Sequence, residues 1–204
     1  MFISFAGLRG SGKTTQSQLL SAYLNERGHQ SRIAKAFDDE MKRKFVEMIP
    51  SNSEMVNHFL FCLLYRRQVE KIKELLLHDI IVVADRYIEY FMFHHKYYGL
   101  LKTHPPSAFN LLKTLVFEEL MPNVVIFLNV DPLTANSRIK GRILKKERLD
   151  NMLETEENHK NILDFYQSHQ EGLSCIKIDA SPGPLEVLQC IVEALKQKTN
   201  LAIN

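Results

Sequence analysis

An open α/β sandwich, with a parallel sheet covered on both faces by helices, is the fold this sequence predicts. Three observations carry the prediction. Short apolar runs alternate with long helical periodicities, the runs are β-branched and uniformly apolar rather than alternating, and a glycine-rich turn joins the first run to the first helix. Residues 2–6 form the first strand. Residues 13–27 follow as a helix with apolar Leu19, Leu20, Ala22, Tyr23 and Leu24, and a second short run lies at Arg32, Ile33 and Ala34. Residues 53–77 carry two apolar stripes, Val56, Leu60, Leu63, Leu64 and Phe61, Tyr65, Ile72, Leu76. Two stripes predict a helix buried on more than one side. Further strands are expected at 80–84, 124–130 and 175–178, and helices near 106–120, 132–142, 152–171 and 184–197. Pro132 and Pro184 suit first-turn positions, and Asp131 suits an N-cap. Strand–helix alternation implies right-handed βαβ units. There is no internal repeat, low-complexity tract or linker, so residues 1–204 are expected to form one domain.

Charge and composition exclude several classes. Lys and Arg number 26 against 24 Asp and Glu, a net charge of +2, so the chain lacks the basic surplus of a nucleic-acid coat and no nucleic-acid partner is expected. At 45% hydrophobic and 25% charged residues it has the composition of an ordinary globular chain. Aliphatic runs such as 80–84 are too short to cross a bilayer, and the first residues lack the positive segment and cleavage site of a signal peptide. No membrane partner is expected. Cys62, Cys175 and Cys190 are odd in number and scattered, which points to reduced thiols and a cytoplasmic location.

Gly7-Leu8-Arg9-Gly10-Ser11-Gly12-Lys13-Thr14 is the pattern G-x-x-x-x-G-K-[ST], between a predicted strand and a predicted helix. Glycines let successive backbone N–H groups converge on an anion, and the helix N-terminus adds its positive dipole. Lys13 is expected at the β- and γ-phosphates of a nucleotide, and the Thr14 hydroxyl on Mg²⁺. Asp85 ends the run 80–84, where a carboxylate beside the cradle can hold the metal or organise the attacking oxygen. Arg86 next to it suits an acceptor phosphate, because its planar fork binds phosphate bidentately. Residues 138–148 hold six basic residues and one acid, with Gly141 as a hinge. Such a segment fits a closing lid in which Arg138, Arg142 or Arg148 neutralises a transferring phosphoryl group.

Taken together, these pieces resemble the thymidylate kinase family, a branch of the P-loop nucleoside monophosphate kinases. The likeness spans nearly the whole chain: Phe5-Ala6-Gly7 through Lys13-Thr14-Thr15-Gln16, Asp85-Arg86-Tyr87, Met121-Pro122-Asn123 into Phe127-Leu128-Asn129-Val130-Asp131-Pro132, and Ile178-Asp179-Ala180-Ser181. The resemblance implies a three-layer sandwich with a five-stranded parallel sheet, commonly a homodimer. It implies ATP with Mg²⁺ as donor and a nucleoside 5′-monophosphate, dTMP by default, as acceptor. Gly7, Arg9, Gly10, Ser11, Gly12, Lys13, Thr14, Thr15, Arg138 and Ala180 would then hold the donor, and Thr14 and Asp85 the metal. Phe61, Tyr65, Arg66, Arg86, Tyr90, His94 and His95 would lie on the acceptor side. Departures from the family pattern concentrate there. Ala6 stands for a glutamate, Arg9 for an aspartate, Tyr65 for a base-reading arginine (Arg66 is one residue off), Tyr90 for a small hydroxyl residue, and acidic Asp38, Asp39 and Glu40 for a basic loop. Two other readings stay open at this point: the same chemistry on a different nucleotide, and an ATP-binding regulator without transfer. A GTPase is disfavoured, because no N-K-x-D motif is present.

Overall fold

The computed structural model describes residues 1–35, 54–91, 105–141, 160 and 174–199. Strand β1 (Phe2–Gly7) occupies the middle of a five-stranded sheet, flanked by β3 (Ile81–Asp85) and β4 (Val124–Asn129), with β2 (Ser31–Lys35) and β5 (Ser174–Asp179) at the edges. Every pairing is parallel, and the order is β2–β3–β1–β4–β5. Helices α1 (Lys13–Glu26), α2 (Glu54–Leu77), α3 (Pro106–Phe117) and α4 (Pro132–Lys140) lie in the connections between successive strands, and α5 (Pro184–Lys198) follows β5. The expected fold class and strand count are therefore those observed. The helix expected at 152–171 and the acidic loop at 38–40 lie outside the described residues, apart from Lys160, which is helical.

The sheet divides the interior into two layers by strand alternation. Ile3 and Phe5 of β1 face α1 and α5, packing with Leu20, Leu24, Ile126, Ile191 and Leu195. Phe2 faces the other way, toward α2 and α3, with Tyr65, Val69, Ile72, Tyr87, Phe91 and Phe117. The face that α1 buries is unusually polar: Lys13, Gln16, Ser17, Leu20, Ser21 and Leu24. Small serines let this helix lie close to the sheet, and Ser31 donates to Ser21 between their hydroxyls at 3.1 Å. Gln16 Nε2 donates to the Pro184 carbonyl at 2.8 Å and ties α1 to the start of α5. Asn123 brackets the entry of β1, accepting from the Phe2 N–H at 2.7 Å and donating its own N–H to the Phe2 carbonyl at 2.8 Å.

Pro132 and Pro184 open their helices, and the Asp131 side chain accepts from the Thr134 N–H at 2.8 Å, as an N-cap should. Hydrogen bonds from the Thr134 side chain, and then from its N–H, hold the Asp131 carboxyl below its ordinary range. One expectation is corrected on α2. Tyr65 and Ile72 of one stripe are buried, with Leu64 and Val69 beside them, but Val56 and Leu63 of the other stripe are exposed at 37% and 58%. Only one side of α2 meets the sheet in the isolated chain. Among the described residues no helix is long and apolar enough to cross a membrane, and Cys62, Cys175 and Cys190 are free thiols.

Leu20 is fully buried where α1 meets the sheet. Leu20→Ala should destabilise the protein by about 2–5 kcal/mol, read as a lower denaturant midpoint with an unchanged slope.

Candidate active site

The loop between β1 and α1 owes its curl to three glycines with positive φ: Gly7 at 134°, Gly10 at 80° and Gly12 at 96°. Two of them are also sterically required. A Cβ on Gly7 would stand 2.6 Å from the Leu128 carbonyl oxygen, and one on Gly10 would stand 2.3 Å from that of Ala135. Gly12 is the N-cap of α1 and contributes no side-chain cap, which leaves the first helical N–H groups for an anion. Lys13 is folded back over the loop. Its ammonium donates to the Gly7 carbonyl at 2.9 Å, the Leu8 carbonyl at 2.5 Å and the Ser11 hydroxyl at 3.5 Å. A charge that is only 5% exposed is thus held by oxygen dipoles at the place where phosphate oxygens would compete for it.

The register of the sheet brings the acid to this cradle. Phe5 pairs with Asp85 across β1 and β3, and the Thr14 hydroxyl donates to Asp85 Oδ2 at 2.6 Å. Both residues expected to hold a metal therefore meet. Two hard oxygen groups side by side at a phosphate loop fit Mg²⁺. Arg86 follows in the left-handed region at φ 73°. Its N–H donates to the Phe5 carbonyl at 3.3 Å, and its carbonyl accepts from Gln68 Nε2 at 3.0 Å. Gln68 also donates to the Ala34 carbonyl at 2.9 Å, so one buried amide joins β2, α2 and the Arg86 turn. The Arg86 guanidinium lies 4.4 Å from the centre of the Tyr90 ring, a cation–π contact between two of the expected acceptor residues.

At the far side of the loop, Arg138 in the last turn of α4 donates to the carbonyls of Ala180 at 2.9 Å and Ser181 at 3.1 Å. The Ala180 N–H in turn donates to the Asn129 carbonyl at 2.8 Å. Asp179 accepts from the Ser181 N–H at 2.9 Å, and this bond lowers its carboxyl below the ordinary range. Arg138 and Ala180, both expected at the donor, are thus joined by a hydrogen bond. Arg9 is half-buried, and Thr15 is exposed on the first turn of α1.

Two expectations on α2 are corrected by packing. Tyr65, expected at the acceptor, has no exposure. Its ring stands 5.5 Å from that of Phe91 and 5.8 Å from that of Phe117, inside the aromatic layer. Arg66 turns toward α3, donating to Glu70 at 3.1 Å and to the Leu115 carbonyl at 3.2 Å, and pairing with Glu118, which Lys73 also binds. Phe61, one turn earlier, stays half-buried. His94, His95, Arg142 and Arg148 lie outside the described residues, so of the segment 138–148 expected as a lid only 138–141 is described. There Gly141 caps α4 in an ordinary helical conformation, φ −73°. Sequence reasoning missed Gln68 as a clamp, and it missed Glu89, which is buried beside Ser4. A lone acid inside the run Tyr87-Ile88-Glu89-Tyr90-Phe91 was the available signal.

A glycine-bound phosphate loop opening a helix, with an acid on the neighbouring parallel strand, defines a P-loop nucleotide-binding protein. A family model described as thymidylate kinase matches residues 5–191. The chain is 30% identical to a thymidylate kinase of Mycoplasmopsis agalactiae over 97% of this chain and 95% of that protein. It is also 30% identical to one of Bacillus licheniformis, over 98% and 94%. The fold is shared with the crystal structure of thymidylate kinase from Ehrlichia chaffeensis, with a TM-score of 0.66, 22% identity, and coverage of 96% of this chain and 98% of that one. The chain belongs to the thymidylate kinase family and is a nucleoside monophosphate kinase of that type.

The two glycines with different surroundings make a paired prediction. Gly10→Ala meets both an unfavourable φ and the Ala135 carbonyl, and should cost about 2–3 kcal/mol of stability together with most ATP affinity. Gly12→Ala has open space around its Cβ and should lose only about 1–2 kcal/mol to backbone strain. Thermal melts and calorimetric ATP titration of both variants check this, and equal losses would contradict it.

Proposed function

We propose that this chain transfers the γ-phosphoryl group of ATP to dTMP, giving dTDP and ADP, with Mg²⁺ as cofactor. The observation that carries the reading is the Thr14–Asp85 hydrogen bond at 2.6 Å, which joins the phosphate loop to the acid at the end of the adjacent strand. Family membership and the relatives named above support dTMP over the other acceptors, and support transfer over mere ATP binding.

In this reading Gly7, Gly10, Ser11 and Gly12 present backbone N–H groups to the β- and γ-phosphates, and Arg9 and Thr15 flank them. Lys13 exchanges the Gly7 and Leu8 carbonyls for phosphate oxygens, so its desolvated charge is already in place when the donor arrives. Thr14 and Asp85 hold Mg²⁺, which when bound supplies positive charge against the developing negative charge of the transfer. Asp85 also orders the attacking phosphate oxygen, while Arg86 holds the acceptor phosphate as a fork. That oxygen forms the new bond to the γ-phosphorus as the bond to the leaving ADP oxygen breaks. Arg142 or Arg148, from a lid spanning 138–148 of one kinase domain of residues 1–204, neutralises the transferring group. Arg138 and Ala180 line the adenine end. Phe61 stacks on the acceptor base, with Tyr90, His94 and His95 on the same side. Tyr65 and Arg66 are not assigned to the acceptor. Free thiols and a small-molecule substrate fit a cytoplasmic setting.

A homodimer belongs to the same proposal. Phe59 and Leu63 on α2, and Leu111 and Leu115 on α3, are each 58–60% exposed. The two stripes adjoin, because Arg66, on the same helix face three residues after Leu63, donates to the Leu115 carbonyl. An apolar face of two packed helices, which explains the second stripe of α2, is suited to a second copy. Leu63→Asp should convert the particle to a monomer by sedimentation; a wild type that sediments as a monomer at micromolar concentration contradicts the assembly.

Lys13→Ala should abolish turnover while leaving the melting temperature nearly unchanged. Replacing the working arginine of Arg142 and Arg148 by alanine should slow transfer by on the order of 10³. Coupled ADP release should be fastest with dTMP among nucleoside monophosphates. ATP binding without ADP release on any acceptor would instead support the regulator.

A further inference from the structure

Glu89 is the one carboxylate buried among the described residues, at 6% exposure, and no step above uses it. It lies against the face of β1 that Ser4 shares with Ala6 by strand alternation. Its Oε1 accepts two hydrogen bonds, from the Ser4 hydroxyl at 3.0 Å and from the Tyr87 backbone N–H at 3.0 Å. Its Oε2 is buried and has no hydrogen-bond partner among the described residues. A carboxylate is costly to remove from water, so a half-satisfied one in an aromatic layer calls for a reason.

That reason lies in the turn it holds. Arg86 has φ 73°, a conformation that a residue with a side chain keeps only when its surroundings over-determine it. Three bonds do so here. The Arg86 N–H is fixed on Phe5, the Arg86 carbonyl on Gln68, and the next N–H, that of Tyr87, on Glu89. Glu89 is itself anchored on central strand β1 through Ser4.

We propose that Glu89 is a positioning residue for Arg86: anchored on Ser4, its carboxyl holds the Tyr87 amide and so fixes the left-handed turn that presents the Arg86 guanidinium to the acceptor phosphate. This rests on the reading of Arg86 given above. Glu89 touches no substrate and acts through the backbone. The ionised carboxylate is the stronger acceptor, so the clamp tightens as Glu89 loses its proton. Burial pushes that carboxyl up to about 7, against the opposing pull of its hydrogen bonds and the Lys13 charge. Around it stand Lys13 from the cradle, Tyr65 from α2, Tyr87 on its own turn, and Cys175 on β5. Burial drives both tyrosines and the thiol further toward their neutral forms.

Amide hydrogen exchange at Tyr87 in the full chain without substrate reads the clamp directly. Protection relative to neighbouring β3 amides should fall about tenfold in Glu89→Leu and return in Glu89→Gln, whose side-chain oxygen accepts both bonds. In kinetics, Glu89→Leu should raise KM for dTMP about tenfold with little change in KM for ATP, and Glu89→Gln should largely restore it. The ratio of wild-type to Glu89→Gln 1/KM for dTMP should climb with pH through about 7. The substrate phosphate titrates alike with both proteins and cancels in that ratio. Stability runs the other way. The raised folded value means that the Glu89 contribution is full below its ordinary carboxylate range and lost as pH rises through about 7, a slope that Glu89→Gln should remove. Unchanged Tyr87 exchange in Glu89→Leu, KM values that rise together for both substrates, or a ratio flat with pH would each overturn the proposal. If Glu89→Leu does not fold, the Glu89→Gln ratio decides. No turnover of dTMP by the wild type would sink the kinase reading instead, and Tyr87 exchange would still decide the clamp.

Discussion

Phe5 pairs with Asp85 across the middle of the sheet, and that register fixes the depth at which the two halves of the site meet. β1 runs on to Gly7 and the phosphate loop, while β3 stops at Asp85 and turns. A slip of one residue would turn the Asp85 side chain to the other face of the sheet and exchange the two core layers strand by strand. The layers resist such a slip because they differ. One is mostly aliphatic, with Ile3, Ile126 and Leu128, and the other is rich in aromatic rings, with Tyr65, Tyr87, Phe91 and Phe117. Burying each such side chain contributes roughly 1.5–3 kcal/mol. The Thr14–Asp85 contact itself is exposed and contributes little to stability, so the core holds the site in place rather than the reverse.

Strain gathers at the same edge. Gly7, Gly10 and Gly12 adopt positive φ without the Cβ penalty, whereas Arg86 adopts it with a full side chain. At Gly10 the reason is proximity, since Ala135 and Ile139 of α4 lie directly against the loop. At Arg86 the reason is direction, since the chain leaves β3 through a turn tied to β1, α2 and Glu89. Lys13 and Glu89, the two buried charged side chains among the described residues, both lie at this edge. Lys13 donates to the Gly7 and Leu8 carbonyls and Glu89 accepts from Ser4 and Tyr87, and such groups can respond when a phosphate enters.

How much was legible in the sequence follows from the range of the forces involved. The phosphate loop was readable because its glycines and lysine act within eight consecutive residues. The strands were readable because burial on both faces makes them uniformly apolar. Pro132, Pro184 and Asp131 marked helix starts through local chemistry alone. The acceptor side was less readable because it depends on the rotation of α2, a tertiary quantity. A tyrosine in a helix carries the same letter whether its ring faces a substrate or Phe117. The Gln68 and Glu89 clamps were hidden for a related reason: their partners, Ala34, Arg86 and Ser4, are brought close only by sheet order.

That rotation also bears on how the acceptor base can be read. Bringing Arg66 round to the position of Tyr65 means turning α2 by about 100°. The turn would swing Tyr65, Val69 and Ile72, all at 0% exposure, out of the aromatic layer. At roughly 1.5–3 kcal/mol for each apolar side chain, the loss exceeds the roughly 1.5–3 kcal/mol that a hydrogen bond to a charged group contributes. Arg66 would also have to leave Glu118 and Glu70. The helix therefore stays as it is packed, and in the proposed reading base recognition falls to stacking on Phe61 and to groups outside α2. Donor binding as proposed, by contrast, uses backbone N–H groups and a lysine held at the end of the central strand. On that proposal the donor end depends on the central strand of the sheet, and acceptor selectivity depends on side chains that the core does not set.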